Sequence, residues 1–203
     1  MIKIYGSPWS SARRVYWAME ECGLNYERQP LDMRAKEHRS AKYLEINPCG
    51  KVPCLVEDGF VLWESMAINW YLAEKYKPDL LGQNAEAKGL INQWSYWSIL
   101  DMQKPLVDML IQVMFMPEDK KDASVVSKAK ESLLPLLRIL DNALVGKKYL
   151  VADTFTLADL NVASVVHINS MVQNDITEFR NVHAWMERLM ERHAFKKVLS
   201  LPR

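Results

Sequence analysis

The chain has 203 residues, 49% hydrophobic and 25% charged, with 26 Lys and Arg against 25 Asp and Glu for a formal net charge of +1. These are ordinary globular values, and the near balance of charge offers no basic field to nucleic acid or to an anionic membrane. Three cysteines without framework spacing point to a reducing compartment; with no apolar run near the ~20 residues that span a bilayer, and with Met1 leading straight into a strand and leaving no room for a signal peptide, a soluble cytoplasmic protein is expected.

In chain order, Ile2 to Tyr5 is the first predicted strand, and Gly6-Ser7-Pro8 breaks it. Ser10 to Cys22 reads as a helix with Val15, Ala18, Met19 and Cys22 on one side and Gly23 as its stop. Tyr26 to Leu31 is a second strand, and Glu37 to Ile46 an irregular helix. Asn47-Pro48-Cys49-Gly50 is turn chemistry. Val52 to Glu57 and Phe60 to Trp63 then form a hairpin about Asp58-Gly59. Glu64-Ser65 follows at once and opens the helix running to Tyr76. The resulting β-α-β-α-β-β-α order implies a mixed sheet with a right-handed crossover, occupying residues 1–77.

Residues 78–84 read as a linker, and from Ala85 to the last residue, 203, only helix signals occur. Ala85 to Met116 is predicted as one long helix bent at Pro105. Glu118 to Val145 is a second, with Pro135 inside and Gly146 after it. Thr156 to Met171 and Glu178 to Arg192 are two more, and Ala194 to Leu199 is a terminal turn. In Phe155-Thr156-Leu157-Ala158-Asp159-Leu160, Thr156 and Asp159 have the spacing of a capping box, and Phe155 and Leu160 that of a hydrophobic staple. Asp159 is accordingly read as structural rather than catalytic.

The stretch from Asn47 to Ser65 says most about function. A strand pair that hands its chain directly to a helix start offers free backbone N–H groups and the positive end of the helix dipole, a good seat for a carboxylate. Ser65 adds a hydroxyl donor and Glu64 a partner for an ammonium, which together suit a ligand end of amino-acid type. Val52-Pro53 before the hairpin, Glu64-Ser65 at the helix start and the Thr156-x-x-Asp159 cap resemble the soluble glutathione transferase family, over almost the whole chain. The resemblance implies a thioredoxin-like N-terminal domain followed by an all-helical C-terminal domain. It also implies a cis proline at Val52-Pro53 that turns backbone groups toward the cysteinyl part of glutathione.

By the same resemblance, Glu64 and Ser65 hold the γ-glutamyl end, while His38 and Lys51 match the family's positions for the glycine carboxylate. Ser10 and Ser11 lie where the first helix begins, which resembles the serine-type branch. A thiol of pKa near 8.5 is mostly un-ionised at neutral pH, and a hydroxyl at a helix N-terminus would stabilise its thiolate. Counting forward from Gly6 and Pro8 favours Ser10; counting back from Val15 leaves Ser11 open. Tyr5 reads as a strand residue. Cys49 and Cys54 lack the Cys-x-x-Cys spacing of a dithiol centre and read as loop and strand residues, and His167, His183 and His193 show no metal-ligand spacing.

The function expected is transfer of glutathione sulfur to an apolar electrophile, with glutathione as co-substrate, no permanently bound cofactor and no metal. Trp94, Trp97, Met102, Leu106 and Met109 mark the region of the long helix that would face the second substrate. The helices from Ala85 and Glu118 carry more apolar surface than one small domain covers, and family members pair through this region, so a homodimer is expected, with no nucleic-acid or membrane partner. Two alternatives stay open: a glutathione-dependent isomerase or dehalogenase, for which Arg13 or Arg14 would supply pocket cations, and a non-catalytic relative serving as an interaction module.

Overall fold

Alternate residues of Ile2–Tyr5 (β1), Ile2 and Ile4, point into a core, which fixes the face and hence the register of the strands beside it. In the computed structural model, which describes residues 1–202, the partners are Tyr26–Gln29 (β2), Cys54–Glu57 (β3) and Phe60–Trp63 (β4). The sheet order is β2-β1-β3-β4, with β1 parallel to β2 and antiparallel to β3. Asp58 and Gly59 both have positive φ, the geometry a two-residue hairpin needs to match strand twist.

Ala12–Glu21 (α1) buries Val15, Tyr16, Trp17 and Met19 and stops before Gly23 at φ 66°. The irregular helix expected over 37–46 is a 3₁₀ turn, Glu37–Arg39, and a short helix, Ala41–Leu44 (α2). Ser40 separates them: its backbone is extended and its hydroxyl accepts from Tyr43 N at 3.3 Å, so it caps a new helix instead of continuing the old one. Ser65–Tyr76 (α3) completes the predicted order. Its last turns are tied to the sheet by Glu57, a buried carboxylate that accepts from Tyr71 Oη at 2.6 Å, Lys75 Nζ at 2.9 Å and Tyr76 Oη.

The chain divides into two units, Met1–Leu81 with the segment from Arg192 on, and Gly82–Glu191. The boundary corrects the expected one at both ends. Pro78–Leu81 is a 3₁₀ turn with Leu80 and Leu81 buried, so the middle of the expected linker is packed. The expected terminal turn is a helix, His193–Leu199 (α10), and it belongs to the first unit. Phe195 packs on Trp17 of α1 in a tilted pair with ring centroids 4.5 Å apart. Arg192 forks onto Glu21 at 2.6 and 2.7 Å, and Lys197 meets Glu20 at 2.7 Å.

The second unit is helical. The long segment expected to bend at Pro105 is Ala85–Trp97 (α4) and Gln103–Leu110 (α5), with π-helical turns at Ser98–Met102 and Ile111–Phe115. The irregularity thus lies just ahead of Pro105, where the missing N–H and the ring disturb the preceding turn. Ala123–Ala143 (α6), Leu157–Val166 (α7), Ile168–Met171 (α8) and Arg180–Met190 (α9) follow. The Thr156/Asp159 capping box forms, and Asp159 does more than cap. It accepts from Leu150 N, Thr156 N, Thr156 Oγ1 and Trp185 Nε1 at 2.9 to 3.1 Å, joining loop, helix start and α9 at one buried carboxylate.

Glu57 generates a test with a defined pH sign. Burial alone would raise its pKa, but the three donors outweigh it and hold the carboxyl below its ordinary value. A depressed folded pKa contributes stability above the unfolded value, near 4.3, and loses it as pH falls through the folded value. Glu57→Gln should therefore cost ~1.5–3 kcal/mol at pH 7, and urea unfolding should show the gap to the parent closing below about pH 4. A gap constant from pH 7 to pH 3 would exclude this role.

Candidate active site

The strand register brings the predicted site residues together. Tyr5 at the end of β1 lies opposite both Gln29 at the end of β2 and Cys54 at the start of β3, and Cys54 lies opposite Trp63 at the end of β4. The segments carrying Ser10, His38, Lys51-Val52 and Glu64-Ser65 therefore all leave the sheet at one end. Gly6 makes this crowding possible. Its φ is 121°, and a Cβ there would stand 3.0 Å from Val52 Cβ and 3.2 Å from Ala12 Cβ, so the exit of β1, the start of α1 and Val52 meet at a residue without a side chain.

Ser10 and Ser11, both half-buried, differ in how they are engaged. Ser10 Oγ donates to Ser7 O at 2.7 Å and accepts from Ala12 N at 3.2 Å, so its oxygen is fixed at the positive end of α1. Ser11 occupies the N-cap position and makes no side-chain capping bond. Arg13 shapes the same turn: its Nε donates to Pro8 O at 2.9 Å, and its guanidinium lies over the Trp9 ring, 5.6 Å from the centroid.

The loop of residues 47–53 is held from within. Asn47 Oδ1 accepts from Cys49 N at 3.0 Å, and Lys51 O accepts from Asn47 Nδ2 at 2.8 Å and from Tyr43 Oη at 2.6 Å. Gly50, at φ 56°, lets this loop approach the 38–39 segment; a Cβ would lie 2.9 Å from His38 O. His38 and the residue before Lys51 are thus neighbours. His38 Nδ1 is buried and has no hydrogen-bond partner among the described residues, which is costly unless something else supplies one. The Lys51 side chain is exposed, and the Val52–Pro53 peptide is cis.

At the start of α3, Glu64 stands at φ 71° and Ser65 is 7% exposed. Ser65 Oγ accepts from Arg14 Nη1 at 3.4 Å, and Asn69 Nδ2 donates to Arg14 O at 3.2 Å. Arg14 is 4% exposed; burial lowers its guanidinium to about 10, and the Glu64 carboxylate pulls it back up. The sequence offers Arg13 and Arg14 only as pocket cations, yet both are buried and bonded inside the unit. The available signal was their position within the apolar run from Ala12 to Met19.

Other candidates fall away from the chemistry. Tyr5 packs on Tyr43 with centroids 5.6 Å apart. Burial pushes the Cys54 thiol up to about 11, the wrong direction for a reactive thiolate. In the second unit Met102, Leu106 and Met109 are fully buried core residues, which corrects their place in the expected second-substrate stripe. Trp94 and Trp97 are half-buried and meet edge to face at 5.2 Å.

Two family models match the chain: glutathione S-transferase, N-terminal domain, over residues 6–75, and glutathione S-transferase, C-terminal domain, over residues 104–193. Glutathione S-transferase 1 of Zea mays is 34% identical over 98% of this chain and 96% of its own length. Among solved structures, the theta class glutathione S-transferase of Xanthomonas axonopodis pv. citri with glutathione bound is 29% identical, with a TM-score of 0.92 over 99% of this chain and 98% of that one. Maize glutathione S-transferase I in complex with an atrazine glutathione conjugate is 34% identical, with a TM-score of 0.89 over 97% and 95%.

Proposed function

The chain belongs to the glutathione S-transferase family, and on that basis we propose that it transfers the glutathione thiolate to apolar electrophilic carbon, with the hydroxyl of Ser10 stabilising the thiolate. The observation that carries the reading is the convergence of Ser10, Val52, Lys51, His38, Glu64 and Ser65 at one end of a single sheet. The γ-glutamyl carboxylate takes the N-terminus of α3 with Ser65 as donor, and Glu64 pairs with the ammonium. Backbone groups of Val52 pair with the cysteinyl unit. Lys51 and His38 receive the glycine carboxylate, where the orphaned His38 Nδ1 gains a partner and the bond is charge-assisted.

The tripeptide so held places its sulfur toward the start of α1. A free thiol is only about 3% ionised at pH 7, given a pKa near 8.5. Ser10 Oγ is anchored by the Ala12 amide, and its O–H, which donates to Ser7 O in the free site, turns to donate to the thiolate when that stronger, charged acceptor arrives, the proton staying on the hydroxyl. The positive end of α1 acts in the same direction. The residues implicated here do binding and ionisation only; the transfer step needs no further group once thiolate and electrophile are in contact.

Retention on immobilised glutathione followed by conjugation of a chlorinated nitrobenzene tests the reading as a whole; retention without turnover would instead mark a non-catalytic binding module. Three finer outcomes are expected. Ser10→Ala should raise the thiol pKa in the binary complex toward its free value, read from thiolate absorbance against pH. Turnover near pH 7 should then fall about tenfold per unit, with partial recovery at higher pH. Ser11→Ala should leave the bound thiol pKa as in the parent and cost little stability, since its hydroxyl makes no capping bond, and the reverse pattern would transfer the role to Ser11. Ser65→Ala should weaken glutathione binding by ~1.5–3 kcal/mol with a smaller change in fold stability; a variant that lost stability while binding normally would mark Ser65 as a helix cap alone.

We also propose a homodimer. Within the second unit Leu100 is 75% exposed, and Leu90, Tyr96, Ile139 and Val145 are exposed as well, an apolar surface that a second copy would cover. Light scattering should give twice the 23.5 kDa chain mass at micromolar concentration; the chain mass itself would overturn it.

A further inference from the structure

Arg14 has no part in the ligand set just proposed, yet it sits immediately behind it. Its side chain is almost wholly buried at 4% exposure, its Nη1 is 3.4 Å from Ser65 Oγ, and its backbone carbonyl accepts from Asn69 of α3. The neighbouring Arg13 is spent on Pro8 and Trp9. Of the two guanidiniums, one serves the thiol end of the site and the other the γ-glutamyl end.

The chemistry of the pair is directional. A guanidinium has five N–H donors and no acceptor, whereas a serine hydroxyl has one proton and two lone pairs. Ser65 must therefore accept from Arg14, which leaves its single proton for another partner. An anion at the start of α3 is that partner. A buried cation next to the same helix start adds to the dipole's positive potential, and the Glu64 carboxylate acts on that cation electrostatically.

We propose that Arg14 is a positioning residue for the γ-glutamyl end of glutathione, orienting the Ser65 hydroxyl proton toward the ligand α-carboxylate and supplying the buried positive charge beside Glu64. This rests on the glutathione reading of the site. It predicts selectivity by ligand part: losing Arg14 should be felt by the α-carboxylate and not by the rest of the tripeptide.

The test compares glutathione with γ-aminobutyryl-cysteinylglycine, which lacks only the α-carboxylate of the glutamyl unit and keeps its ammonium, by titration calorimetry on the parent protein, Arg14→Gln, Arg14→Lys, Ser65→Ala and the double variant, with folding checked by circular dichroism. Arg14→Gln should weaken glutathione by tenfold or more, the usual scale for a hydrogen bond to a charged group. It should leave the analogue's affinity and the bound thiol pKa as in the parent. Arg14→Lys, which keeps charge without the planar fork, should fall between the two, and it carries the same comparison if Arg14→Gln does not fold. The double variant should bind little worse than Ser65→Ala, the non-additivity of residues acting in series. Equal losses for both ligands, additive losses, or no loss would each overturn the proposal while the parent still bound glutathione. A parent that bound no glutathione would instead remove the reading on which the proposal stands.

Discussion

One register decides where chemistry can occur in this protein. With Tyr5 facing Gln29 on one side and Cys54 on the other, and Cys54 facing Trp63, four chain segments are obliged to depart from the same sheet end. A slip of one residue would turn every side chain to the opposite face and scatter the segments. Gly6, Gly50 and the Asp58-Gly59 turn are the local conditions under which that register closes without collision.

Around this end, the polar groups are distributed by burial rather than by proximity in sequence. Lys51 is exposed and Arg14 buried, although both serve a negatively charged ligand in the proposed mechanism. The exposed lysine is mobile and cheap to keep in water, suited to the outer carboxylate. The buried guanidinium has already lost its hydration in the folded state, so its field acts at low dielectric without further reorganisation when ligand arrives. Glu57 applies the same logic to stability, holding the far end of α3 by a carboxylate that three donors keep ionised.

Much of this was legible in the sequence wherever the governing rule is local. Asp58-Gly59, the Gly23 stop, the Thr156/Asp159 cap and the Glu64-Ser65 helix start are each specified by residues within a few positions of one another. What escaped reading depends on partners far along the chain. Nothing near residue 192 announces that Arg192 clasps Glu21, so the sequence alone groups α10 with the helices before it and not with the first unit. Nothing in a Met-Leu-Met stripe distinguishes core from pocket, since periodicity reports a buried face and not what buries it. Arg13 and Arg14 stand out in the sequence as charges, but their enclosure depends on other elements and leaves no local mark.

The clasp between α10 and α1 has a consequence for biosynthesis. Arg192 and Glu21 are 171 residues apart, and the Trp17 and Phe195 rings share one contact. Chains emerge from the ribosome amino end first, at ~5–20 residues per second. The first unit therefore spends on the order of ten seconds or more with the Trp17, Glu20 and Glu21 face of α1 uncovered, while the whole second unit is made. Its completion waits until the second unit has been made, and the helix whose start carries Ser10 is among the last parts of the first unit to be enclosed.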